Sequence, residues 1–248
     1  MTARLLTIPF SHYCEKARWA LERSRIPFTE EGSLPIFHTL ANRRAGAGRT
    51  VPALVTDDGV VLGDSLDIVT WADHLTPGAL LPGDPDERIA ARALEDDLGA
   101  QLGPATRRWG YFQLLPRPDV LHALAKTTPR WQQIALRVAR PVAVGLLKRG
   151  LKIDAAGAER SRIKIEEQLA KVSALLADGR RFLVGKRFSI ADLTFAALAA
   201  PVLLPDGHPV PPAPLDAFPA AGRAQVQAWR ATPAGAFALR MYLEQRHP

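Results

Sequence analysis

The chain has 248 residues, 47 % of them apolar, and a formal charge of +7; that suffices for a sizeable core in one large domain or two smaller ones and argues against disorder. Its basic residues are spread from Arg4 to Arg246 without a DNA- or RNA-binding motif, so no nucleic-acid partner is expected and the charge fits small anionic ligands. A single cysteine, Cys14, excludes an internal disulfide.

The first ~75 residues alternate strand-like and helix-like pieces. Leu5 to Ile8 is a short apolar strand, Cys14 to Ser24 a helix, and Phe28 begins another extended piece. "VPALVTDDGVVLGDS" (51–65) predicts a hairpin, with strands at Ala53–Thr56 and Val60–Leu62 around the turn "DDG". Asp64 or Ser65 then caps a helix to about Leu75. The order is βαβ followed by ββα. "TPGALLPGDPDERIAAR" (76–92) contains a linker, and helices are predicted beyond it at 87–110, 118–149, 159–178, 190–204 and 223–245. The expected domains are 1–77 and 87–248, joined by 78–86. Pro141 should kink the second of these helices, and the Pro-rich piece 205–219 should lie across the surface. No leader opens the chain, and the longest uncharged run, Leu193 to Pro205, is too short to span a bilayer. A soluble protein of the reducing cytoplasm is expected.

"IPFSHYCEKARWALERSRIPF" (8–28) holds the candidate site. Pro9 ends the strand and leaves Ser11 in the turn before the helix. Cys14, Ala17 and Leu21 share one helical face, which should point inward. The first N–H groups of a helix lack internal partners, and the macrodipole adds positive character, so an anion is stabilised there. A hydroxyl donor beside it could favour a thiolate by ~1–3 kcal/mol. Ser11 would then be a donor rather than a nucleophile. Taken by itself, the stretch favours a plain N-cap followed by plain core.

Further pieces carry a resemblance. "SHYCEKAR" (11–18) resembles the first helix of thioredoxin-like domains, with Ser11 in the place of the first cysteine of Cys-x-x-Cys and Cys14 in that of the second. "TVPAL" (50–54) is similar to the loop that carries their cis-proline. "GDSLDIVTWA" (63–72), the linker "LLPGDPDERIAAR" (80–92) and "FSIADLTFAALA" (188–199) resemble the corresponding segments of cytosolic glutathione transferases, in the correct order. The chain resembles that family, in a bacterial form with serine at the first Cys-x-x-Cys position. The fold implied is an α/β thioredoxin-like N-terminal domain followed by an all-α C-terminal domain.

The resemblance implies glutathione as co-substrate and no metal. It implies a cis Val51–Pro52 bond, with Val51's backbone N–H and C=O pairing the tripeptide in β fashion. Ser65 and its helix terminus would take the γ-glutamyl carboxylate, with Asp64 near the amino group. Arg43, Arg44, Arg49 and His12 are the candidate cations for the glycyl carboxylate. The capping box Ser189–Asp192 should begin a buried helix.

A hydrophobic electrophile is expected next to "ATRRWGYFQLL" (105–115), where Arg108, Trp109 and Phe112 are the candidate contacts and Arg107 could also hold an acidic group. "TPAGAFALRMYLEQR" (232–246) should cover that cleft. "QIALRVARPVAVGLLKRGLKI" (133–153) is apolar with spaced basic residues. Such a helix can lie on a membrane, but shielding a core or forming a subunit contact is its ordinary role, and membrane contact is not expected. Conjugation of glutathione, in detoxification or secondary catabolism, is the leading function. The alternatives are a non-catalytic ligand carrier and a glutathione-dependent reductase using Cys14. Family habit adds a homodimer.

Overall fold

The computed structural model describes residues 2–246; Met1, His247 and Pro248, at the outer ends of the two expected domains, lie outside them. Strand β1 (Ala3–Thr7) leads into helix α1 (His12–Arg23), and β2 (Phe28–Gly32) returns parallel to β1, Ala3 opposite Phe28. After helix α2 (His38–Arg44), β3 (Ala53–Val55) pairs antiparallel with β1, Leu5 opposite Leu54. β4 (Val61–Leu62) closes the hairpin, giving the sheet order β2-β1-β3-β4. Helix α3 (Ser65–Leu75) starts on Asp64, whose side chain accepts the Leu66 N–H at 2.7 Å.

Helices follow in succession: α4 (Pro85–Leu114), α5 (Pro118–Leu124), α6 (Arg130–Leu151), α7 (Ala155–Leu175), α8 (Ile190–Leu203), α9 (Ala220–Arg230) and α10 (Pro233–Gln245). Asp84, Asp154 and Thr232 cap α4, α7 and α10 with side-chain oxygens. The stretch 38–44 is helical, and two expectations change. The span 118–149 breaks before Pro129, which itself caps α6, and 223–245 breaks at Thr232, where the following Pro233 can only start a new helix. Helix α6 continues through Pro141.

Two apolar clusters share α1. Ala17 and Leu21 pack with Leu5, Leu54, Ile68 and Ala72 between sheet and α3. Trp19 and Ala20 point the other way into the large helical core, whose centre is α8. The Trp19 ring lies 4.9 Å from Tyr242 and 5.5 Å from Phe188, and its indole N–H donates to the Gln245 carbonyl at 3.1 Å. Helix α1 is therefore buried on both sides. Its first turn docks closely on α4, where Tyr13's hydroxyl donates to the Gly99 carbonyl at 2.8 Å. Gly103 permits this approach, since a Cβ there would overlap the Tyr13 hydroxyl.

Helix α8 begins at the expected box. Asp192 Oδ2 accepts the Ser189 N–H at 2.8 Å and its hydroxyl at 3.0 Å, and Oδ1 accepts the Leu183 N–H at 2.7 Å. Burial outweighs those donors and pushes the carboxyl up to about 6. A carboxyl raised on folding stabilises the native state fully below its unfolded pKa, near 3.8, and loses that contribution as pH rises through about 6. Asp192→Asn should therefore lose stability by chemical denaturation, and its deficit against the parent should shrink between pH 4 and pH 6.5, by up to about 3 kcal/mol. A constant or widening gap would contradict the assignment.

Candidate functional site

A cavity of about 780 Å³ opens between the sheet-bearing part and the helices. Ser11 stands at one end of it, as the N-cap of α1 with an extended backbone (φ −79°, ψ 126°). Its hydroxyl makes no capping bond to the helix. Its backbone is fixed: the N–H donates to Ile8 at 2.8 Å, and the carbonyl accepts Glu15 at 2.9 Å.

Cys14 lies one turn on and is fully buried. Burial pushes its thiol up to about 11, against the opposing pull of hydrogen bonds from the Ile8 backbone and the Ser11 side chain. It is a thiol packed inward and does not line the cavity.

The facing wall comes from the loop 45–52. Val51 and Thr50 line it, and the Val51–Pro52 peptide is cis. The sheet ladder starts only at Ala53, so Val51 precedes it. Buried Asn42 holds the loop, donating from Nδ2 to the carbonyls of Gly48 (3.0 Å) and Thr50 (2.6 Å). His38 Nε2 meets the Arg49 carbonyl at 3.2 Å. Of the candidate cations, Arg49 lines the cavity, whereas Arg43 and Arg44 end α2 exposed to solvent.

His12 is corrected. It is buried and its Nε2 donates to the Gly103 carbonyl at 3.0 Å. Burial, and then the charge of Arg107, lower its pKa to about 3, so it is neutral and offers no cation to a carboxylate. Asp64 and Ser65 stand at the start of α3, outside the cavity wall. Ser65 is buried, and the Asp64 side chain is engaged by Leu66.

The acceptor-side contacts are also corrected. Leu98, Leu102, Ala105 and Trp109 form the core face of α4, so Trp109 packs inward, 4.8 Å from Trp229 and 6.0 Å from Phe218. Arg108 joins neighbouring helices, donating to the Leu151 carbonyl at 3.0 Å and the Ser161 hydroxyl at 3.1 Å. Phe112 falls outside the cavity wall. The face that lines it is Arg107, Gly110, Tyr111 and Leu114, spaced i, i+3, i+4, i+7. The apolar period of 98, 102, 105 and 109 was the available signal for this phase.

Two further walls were not foreseen. Leu146, Leu147 and Leu151 of α6 enter from one side. From the other comes the Pro-rich connection, through His208 and 210–213, so it is part of the cavity rather than a strap over the outside. His208 Nδ1 lies 2.6 Å from the Val210 carbonyl, and its ring stacks on Tyr242 at 5.9 Å. Helix α10 packs behind this point and none of its residues reaches the cavity.

Among the described residues, no Asp, Glu or Lys lines the cavity, while Arg49 and Arg107 do. Arg107 makes no ion pair among these residues. The guanidinium pulls against burial at Tyr111, whose hydroxyl burial nevertheless pushes up to about 12. The cavity is thus electropositive near Ser11 and apolar beyond it.

The comparisons with known proteins agree with this layout. A glutathione S-transferase crystal structure from Rhodospirillum rubrum covers 98 % of this chain and 93 % of its own, with TM-score 0.58 and 19 % identity. One from Methylobacterium radiotolerans, in complex with glutathione sulfonate, covers 96 % and 95 %, with TM-score 0.57 and 21 % identity. A third, from Ceriporiopsis subvermispora and in complex with glutathione, covers 100 % and 98 %, with TM-score 0.62 and 17 % identity. No curated protein matches the sequence. The family model for the glutathione S-transferase N-terminal domain matches residues 5–80, and that for the C-terminal domain matches 155–232. With a thioredoxin-like unit, a helical unit and both family models in order, this chain belongs to the glutathione S-transferase family.

Proposed function

We propose that the protein is a transferase that joins glutathione sulfur to a hydrophobic electrophile. One observation carries this: the Ser11 hydroxyl, which makes no helix-capping bond, stands at the N-terminus of α1 and opens on a cavity lined by no carboxylate among the described residues. Glutathione has two carboxylates and one ammonium, so its net charge suits that wall. Val51's backbone would pair its cysteinyl unit, and Arg49 would hold the glycyl carboxylate. Ser65 and the α3 terminus would hold the γ-glutamyl carboxylate with Asp64 alongside, which requires the tripeptide to reach past the cavity rim.

The Ser11 hydroxyl donates to the glutathione sulfur and, with the positive helix end, favours loss of the S–H proton to water. The thiolate then attacks an electrophilic carbon. A C–S bond forms, and a halide leaves or an epoxide C–O bond opens. Leu114, Leu121, Leu146 and Leu204 would hold the apolar body of the second substrate, with Arg107 at its polar end. Proximity supplies much of the remaining rate.

Buried Cys14 disfavours the reductase alternative, because a mixed disulfide requires an accessible thiolate. A carrier would bind glutathione or apolar ligands without turnover.

Ser11→Ala should lower kcat/KM for glutathione with 1-chloro-2,4-dinitrobenzene by roughly 5- to 150-fold, matching ~1–3 kcal/mol, and should raise the apparent thiol pKa in the pH–rate profile. Cys14→Ala should keep the rate within about twofold, and native Cys14 should resist alkylation at pH 7.5 until denaturant is added. The opposite ranking of the two variants would sink the proposal, and binding without turnover would establish the carrier. Arg49→Ala should raise KM for glutathione by roughly tenfold with kcat nearly unchanged; an unchanged KM would remove Arg49 from the site.

A further inference from the structure

Helix α6 presents an apolar stripe to solvent. Trp131, Ile134, Val138, Val142 and Leu146 recur at spacings of three or four residues, and all are exposed; Val138 is 81 % exposed. Isolated exposed apolar residues are ordinary, but five along one helix make a continuous face. At its Trp131 end, where the indole meets Phe37 edge-on at 5.1 Å, the α2 region also exposes Ile36 and Leu40.

The charges beside the stripe are of one sign. Arg130, Arg137, Lys148 and Arg149 are exposed, and none of them makes an ion pair among the described residues. From Arg130 to Ile153 there is no Asp or Glu. A second copy of this chain seated on the stripe would bring two such basic edges together with no acidic counterpart on the helix. An anionic lipid surface supplies both what the apolar stripe lacks and what the basic edge lacks.

We propose that α6 docks the protein on anionic bilayers, lying in the interface with the stripe inserted and its arginines and lysine against the lipid headgroups. No helix among the described residues is long and apolar enough to cross a membrane, so the attachment is peripheral. The docking does not depend on the thiol chemistry proposed above, although Leu146 belongs to both the stripe and the cavity wall, which places the cavity's apolar side toward the lipid.

The test is co-sedimentation of the full chain, without glutathione, with vesicles of phosphatidylcholine alone or with roughly one third phosphatidylglycerol. Binding to the anionic vesicles is expected, at least about tenfold weaker to the neutral ones and in high salt. Ile134→Asp with Val138→Asp should abolish it, and Arg137→Glu with Arg149→Glu should erase the preference for anionic lipid. These four side chains lie outside the cavity wall, so turnover should persist in both variants and report that they fold. Failure of the parent to sediment with anionic vesicles would overturn the proposal. So would equal binding by the variants. A parent dimer that the Ile134→Asp, Val138→Asp pair splits in sedimentation velocity would assign the stripe to a second copy instead.

Discussion

The buried ion pairs of α1 are the constraint on which the rest of the molecule depends. Glu15 and Arg18, at i and i+3, share one face of that helix, Lys16 lies on another, and all three are buried. Glu15 accepts from Arg18 at 2.5 Å and from Arg246 at 2.6 Å. Arg18 also forks onto Glu30 of β2, at 2.6 and 2.9 Å, and the Thr7 hydroxyl adds a third donor there at 2.6 Å. Burial alone would raise the Glu30 carboxyl; the Arg18 guanidinium and Thr7 more than offset it and hold it low. On the opposite side Lys16 pairs with Glu95 of α4, and Arg246 also reaches Glu22. Deleting one member of such a pair strands a charge and costs about 3–5 kcal/mol, more than most single contacts. The network thus joins the sheet, α4 and the end of the chain through one helix.

Function follows from that rigidity. Ser11 is the cap of the helix so held, and the turn before it is closed by the Ile8 and Glu15 backbone bonds. His12 and Tyr13 tie the same turn to Gly103 and Gly99 of α4. One and two turns beyond Gly103 along α4 lie Arg107 and Tyr111, on the cavity wall. The distance between the thiol end and the acceptor end is therefore set by packed helices, not by loops. A site that works by positioning needs such a frame, because misplacement by about an ångström can cost two orders of magnitude in rate.

What the sequence made legible is what local rules control. The first strand, read at Leu5–Ile8 and running Ala3–Thr7, the hairpin around Gly59, the cap at Asp64 or Ser65 and the box at Ser189–Asp192 all announce themselves within a few residues. The inward face of Cys14 followed from its spacing to Ala17 and Leu21. What stayed hidden depends on distant partners. Glu15, Lys16 and Arg18 look like a solvated helix face until Arg246, Glu30 and Glu95 arrive from 12 to 231 residues away. The phase of 105–115 was misjudged because Trp109 and Phe112 attract attention as aromatics, whereas the core period of α4 places Arg107 and Tyr111 at the cavity. The Pro-rich connection has no period at all, so nothing local shows that 210–213 turn inward.

The same division explains why, under the proposed reaction, the end at Ser11 would be chemically specific and the acceptor end would not. Near Ser11 and Val51 the groups are polar, few and fixed: a hydroxyl, helix N–H groups, a free backbone pair and Arg49. Together such groups can reject a ligand that leaves them unpaired by roughly 10,000-fold or more. Beyond Tyr111 the walls come from α4, α6, α8 and 210–213, and they are leucine, proline, valine and alanine. One methylene more or less against such surfaces changes binding by only ~1–3 kcal/mol in total selectivity, and the outward side of α6 shows that one wall has solvent behind it rather than core. A wall of that kind can shift to admit different apolar bodies. Under the proposed transferase reading, selection at this end would rest on shape and on the charge of Arg107, and would favour apolar bodies that carry an acidic or polar terminus.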